Sequence, residues 1–88
     1  MPMPIMLAGN QIAAARSLSG ISQAGLAERV DVNRKTIEKA EGAAADIPDI
    51  RISVMRKIVS ALENAGVQFA LEGDIISIRP RAPMQGGE

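Results

Sequence analysis

The chain has 88 residues, 47% of them apolar and only one aromatic, with ten Lys and Arg set against ten Asp and Glu. That length bounds one small domain whose core of Leu, Ile, Val, Ala and Met is thin enough to gain from a partner subunit. With neither Cys nor His in the sequence, disulfide frameworks, thiolate or imidazole metal sites and the usual general bases are excluded, and neither a cofactor nor a metal is expected.

The opening MPMPIML is too short and too uncharged for a signal peptide. The longest apolar run falls far short of a membrane span, so a cytoplasmic protein is expected. Residues 1–6 should start flexible, with Ile5 and Leu7 able to pack back on the core. Asn10 to Leu18 has strong helix formers, with Ile12, Ala15 and Leu18 on one face and Gly20 as the stop. Ser22 is a good N-cap for a second helix that runs to Arg29 or Val30 and buries Leu26, Ala27 and Val30.

The apolar period then breaks at VDVN, residues 30–33. Asp tolerates the left-handed region better than most residues, so Asp31 can make a tight turn, with Val32 as an apolar plug beneath it. Asn33 caps a third helix from Arg34 to about Glu41, with Ile37 and Ala40 inward and Gly42 ending it. Residues 43–49 read as a loop, with Pro48 holding the preceding residue extended. A longer helix should run from Arg51 or Ser53 to Ala65. Its Val54, Met55, Ile58, Val59 and Leu62 supply more than one apolar stripe, part of which could face a second subunit.

After Gly66 the period changes from helical to two. Val67, Phe69 and Leu71 point one way and Ile76 and Ile78 match them across Gly73-Asp74, a two-residue turn with glycine first. A lone hairpin is marginal in water and must pack on helices or pair with another chain. Pro80 ends the second strand, and a flexible tail is expected over 80–88. The organisation is thus a helical domain over 7–66, a β-hairpin over 67–79 as a possible dimerisation element, and two flexible ends.

Two short helices, a tight turn and a second helix opening with polar and basic residues make a helix-turn-helix. The ordered set Ser22-Gln23, Leu26-Ala27, Asp31, Val32, Asn33, Ile37 and Glu41-Gly42 resembles the Xre/Cro-type helix-turn-helix family. The resemblance extends over about residues 7 to 79, with Arg16 in the usual basic position of the first helix. It departs at Asp31, where the family most often has Gly, and at Ala40, where a larger aliphatic is common and where packing should be thinner. The fold it implies is mainly α, four to five helices with a C-terminal β-hairpin.

The function it implies is sequence-specific binding of double-stranded DNA as a small bacterial transcriptional regulator. A helix can enter the major groove and present the side chains of its first turn to base edges. Carried over position by position, Gln23 would contact a phosphate, and Asn33, Arg34, Lys35 and Thr36 would face the groove. Arg34 would read guanine, and Lys39 would reach a base or a phosphate. Arg16 would touch the backbone or pair with an acid inside the fold. Glu28, Glu38 and Glu41 read as surface charges, the last able to pair locally.

The hairpin and the last helix are where a homodimer on a palindromic operator would form. The balanced charge supports a rival, a protein-binding module on the same scaffold that antagonises another regulator or serves as an antitoxin, since phosphate neutralisation carries much of a DNA binder's affinity. Taken singly, Arg34, Lys35 and Lys39 suit a solvated helix face equally well. An enzyme is the remote third reading.

Overall fold

The computed structural model describes residues 5–73 and 75–80, and is mainly helical: α1 (Gly9–Ser19), α2 (Gln23–Val30), α3 (Arg34–Gly42) and α4 (Ile52–Asn64), followed by β1 (Val67–Glu72) and β2 (Ile75–Pro80). The flexible ends expected for residues 1–4 and 81–88 lie outside the described residues, as does Asp74. No helix among the described residues is long and apolar enough to cross a membrane.

Helices α1 and α2 end in the same way. Gly20 takes the left-handed conformation after α1, its N–H donates to the Ser17 carbonyl, and the Ile21 N–H donates to the Arg16 carbonyl. Asp31 does this after α2 at φ 62° and ψ 48°, with Asp31 N–H on Glu28 and Val32 N–H on Ala27. Both are Schellman closures, and the residue after each left-handed position, Ile21 or Val32, packs against the core. Asp31 therefore serves where glycine is usual, at the modest cost of a left-handed non-glycine residue.

The core is one cluster. Leu7, Ile12, Leu26, Ile37, Met55, Ile58 and Leu62 are fully buried in it, and Val67 and Phe69 of the hairpin close one side. No polar or charged residue among the described ones is buried with them. Ile5 and Met6, expected within the flexible start, pack against this cluster. Leu18, expected on the buried face of α1, is 48% exposed in the last turn of that helix. The surplus apolar stripe of α4 is consumed within the chain: Met55, Ile58, Val59 and Leu62 are all buried and Val54 packs beside them. Only Ile52, at the N-terminal end, is left half-exposed on that helix.

Gly42 does not end α3 by a left-handed turn; it is the last helical residue, and the positive φ falls two residues later at Ala44. The reason lies at the start of α1. The Gly9 N–H donates to the Asp46 carbonyl at 3.0 Å and the Asn10 N–H to the Ala44 carbonyl at 2.8 Å. The loop after α3 thus satisfies donors that the first turn of α1 cannot satisfy itself. Gly9 sits so close that a Cβ there would lie 2.5 Å from the Ala40 carbonyl oxygen and 2.7 Å from that of Glu41. Ala40, expected to thin the packing, is fully buried where this close approach occurs.

The hairpin is antiparallel in the expected register, with Phe69 opposite Ile78 and Leu71 opposite Ile76. Gly73 opens the turn at φ 66°, a conformation glycine adopts without cost. The strands pack on α1 and α4. Gln11 ties the two layers: its Oε1 accepts from the Ala8 N–H at 2.8 Å and its Nε2 donates to the Ile76 carbonyl at 3.3 Å.

Candidate nucleic-acid interface

The unit α2–turn–α3 presents its chemistry at two helix N-termini. Ser22 caps α2, its Oγ accepting from the Gly25 N–H at 2.9 Å. Asn33 caps α3, its Oδ1 accepting from the Lys35 N–H at 2.9 Å. The cap fixes the Asn33 side chain and leaves its NH2 group pointing donors outward from an exposed position.

On α3, Arg34, Lys35 and Lys39 are exposed and Thr36 is half-buried beside the fully buried Ile37. The exposed face has two columns at i, i+4 spacing. Arg34 and Glu38 form one, joined at 3.0 Å, with side chains 62% and 46% exposed. A pair so open to water is worth only a few tenths of a kcal/mol, so Arg34 is readily released to another acceptor. Lys35 and Lys39 form the other column, and among the described residues neither has an ion-pair partner. Two like charges one turn apart cost a helix roughly 0.2–0.5 kcal/mol, a cost that an anion lying across them would reverse.

Behind this face lies a group that the sequence did not reveal as a unit. The Glu41 carboxylate accepts from Arg16 Nε at 2.7 Å, from Arg16 Nη2 at 3.1 Å and from Gln23 Nε2 at 3.1 Å. A further Arg16 nitrogen, Nη1, donates to the Ile21 carbonyl at 3.0 Å. Glu41 is therefore no surface charge: its side chain is 9% exposed, and that of Arg16 21%. The bidentate hydrogen bond to Glu41 raises the Arg16 pKa above its ordinary value against the opposing effect of burial, with the charge attraction of Glu41 adding to it. One residue from each of α1, α2 and α3 meets here, which fixes the angle at which α3 leaves the turn. Of the two roles open to Arg16, the structure takes the internal pairing. Gln23, expected at a phosphate, spends one of its two amide hydrogens on Glu41 and keeps the other.

The six candidate residues thus fall into two groups. Asn33, Arg34, Lys35, Thr36 and Lys39 are gathered along the first two turns of α3, while Gln23 sits at the start of α2, bound to the last turn of α3 through Glu41. The spacing of Arg16 and Glu41 in sequence, 25 residues, carries no local signal; only the packing of α1 across α3 brings them together. Comparison with family models and with curated proteins finds no match to the chain.

Proposed function

We propose that the protein binds double-stranded DNA in a sequence-specific manner and regulates transcription in the cytoplasm, with α3 in the major groove. The observation that carries this is the exposed column of Lys35 and Lys39 beside Arg34, on a short helix entered through a tight turn and a capped N-terminus. The ordered residues of α2 and α3 support the same reading through their resemblance to the Xre/Cro-type helix-turn-helix.

In this reading Arg34 leaves Glu38 and reads guanine O6 and N7 with two parallel N–H donors. The Asn33 amide and the Thr36 hydroxyl serve neighbouring base edges. Lys35 and Lys39 neutralise phosphate. Gln23 donates its second N–H to a backbone phosphate at the N-terminus of α2, where the helix dipole favours an anion.

The test is a salt titration of binding to a random duplex pool, with selection and sequencing of the retained fraction. Enrichment of a defined motif, with affinity falling steeply as salt rises, is the expected result. Arg34→Ala should then cost on the order of 1–3 kcal/mol and relax the preference at one base pair. An equal loss on every sequence would make Arg34 a phosphate contact. The balanced total charge and the Arg34–Glu38 pair favour the second reading, a protein-binding module. Absence of enrichment, with weak binding even at low salt, would select it.

A further inference from the structure

We propose that Glu38 is a specificity-determining residue of the DNA-binding face, its carboxylate accepting from the N4 amino group of a cytosine in the major groove. The inference rests on the DNA reading and adds to it a residue that the sequence marks only as a surface charge.

The placement follows from the packing of α3. Ile37 and Ala40 are its buried residues. At about 100° per residue, the line midway between them points into the core and its opposite points outward. Lys35 lies almost on the outward line. Glu38 and Lys39 lie about 50° from it, one on each side, and Arg34 lies about 90° away at the flank. All four are exposed. Glu38 is therefore nearer the middle of the outward face than Arg34, with Arg34 on one side of it and the two lysines on the other. A groove that receives Lys35 and Lys39 receives this carboxylate as well. The other acid of α3, Glu41, is turned inward onto Arg16, so Glu38 is the one acid that α3 carries into the groove.

What a carboxylate can do there is narrow. When ionised it only accepts hydrogen bonds. In the free chain its partner is Arg34 at 3.0 Å, in a pair open to water. Once Arg34 turns to a guanine, the carboxylate meets base edges. Guanine shows the groove two acceptors, N7 and O6. Thymine shows the O4 acceptor and a methyl group, and adenine sets its N7 acceptor beside its amino group. Cytosine alone shows a donor with no acceptor on the same base. The carboxylate thus favours cytosine and is repelled by the acceptors of the other bases. A charge that weakens attraction to phosphate at every site in this way adds selectivity among sites.

The spacing sets where that cytosine lies. Arg34 and Glu38 are four residues apart, about 6 Å along the helix axis. Base pairs follow one another at ~3.4 Å, so the cytosine should fall within about two base pairs of the guanine read by Arg34. The pair with Arg34 could also serve α3 alone, as a solvated i, i+4 contact. The two roles differ in what they do to sequence preference, and that difference is measurable.

The test runs the random-duplex selection on the full chain and on Glu38→Ala and Glu38→Gln. The position is exposed, so circular dichroism should show both variants folded. The wild type should select cytosine at one position. Glu38→Ala should lose that preference, by roughly tenfold in relative affinity, while keeping the guanine assigned to Arg34. Glu38→Gln should shift the same position towards adenine, whose N6 and N7 match a side-chain amide. A second measurement places N4-methylcytosine at that position of the selected duplex, its methyl group replacing the amino hydrogen that faces the groove. It should weaken wild-type binding roughly tenfold and leave Glu38→Ala unaffected. A motif identical for the wild type and Glu38→Ala would overturn the proposal and leave the DNA reading standing, whether or not the variant binds every sequence more tightly. A wild type that enriches no motif would overturn both.

Discussion

At the scale of single residues, Arg16 and Glu41 form the least exposed ion pair among the described residues. Removing Arg16 leaves a carboxylate, 9% exposed, with only Gln23 for company. Arg16→Ala should cost about 2–4 kcal/mol in urea denaturation. Replacing both partners with apolar residues, as in Arg16→Met with Glu41→Leu, should recover much of it, because no charge is then left buried. The folded-state pKa of Arg16 is raised, so its contribution is complete below the unfolded value and is lost only as pH rises through the folded one. The stability difference between wild type and Arg16→Ala should therefore stay flat from roughly pH 7 to about 10. The lysine column behaves in the opposite way. Lys39→Glu removes a like-charge repulsion from Lys35, so it should leave stability unchanged or raise it by a few tenths of a kcal/mol, while sharply weakening binding to DNA. A fall in both together would show that Lys39 supports the fold.

At the scale of elements, the loop after α3 and the start of α1 form one structural joint. The two glycines that bracket it should respond oppositely to alanine. A Cβ on Gly9 would strike backbone atoms of Ala40, Glu41 and Ala44 at 2.5–2.8 Å, and backbone cannot rotate away. Gly9→Ala should cost on the order of 1–3 kcal/mol. A Cβ on Gly42 meets nothing within 4 Å, and its φ is not in the left-handed region. Gly42→Ala should stabilise the chain by up to about 1 kcal/mol by improving helix propensity. Thermal unfolding of the two variants distinguishes them, and the opposite order would show that α1 does not dock on α3 in this way. The caps were legible beforehand, since Ser22, Asp31 and Asn33 act on atoms two to five residues away. The Gly9 joint was not, because both its halves look ordinary in sequence.

At the scale of the whole molecule, the charges sum to zero, yet those of opposite sign are not used alike. Glu41 is turned inward onto Arg16, and Lys35 and Lys39 are turned outward together. The field at α3 is therefore more positive than the total implies, and it acts over about a Debye length, roughly 10 Å at 0.1 M salt. The homodimer that the resemblance implies would make stability depend on concentration. The midpoint of thermal unfolding should then rise by a few degrees over a tenfold increase in protein, and a midpoint independent of concentration would argue for a monomer. A single chain measures 42 Å along its longest axis, so two copies are large enough to span half-sites one DNA turn apart, ~34 Å.

Four helices in their order, the tight turn at Asp31, the caps at Ser22 and Asn33 and the hairpin register were all legible in the sequence, because each depends on residues close in the chain. Helical and strand periods, left-handed tolerance and capping are local properties of the backbone. What only the tertiary structure decided depends on distant residues meeting. Arg16 and Gln23 turned out to be partners of Glu41, Ala44 rather than Gly42 took the left-handed turn, and the apolar surplus of α4 was spent inside one chain. Leu71 was left in water by the same packing that buried Phe69, two residues away on the same face. Burial is set by which layer lies beneath a residue, and the alternation of a strand says only which side that layer would be on.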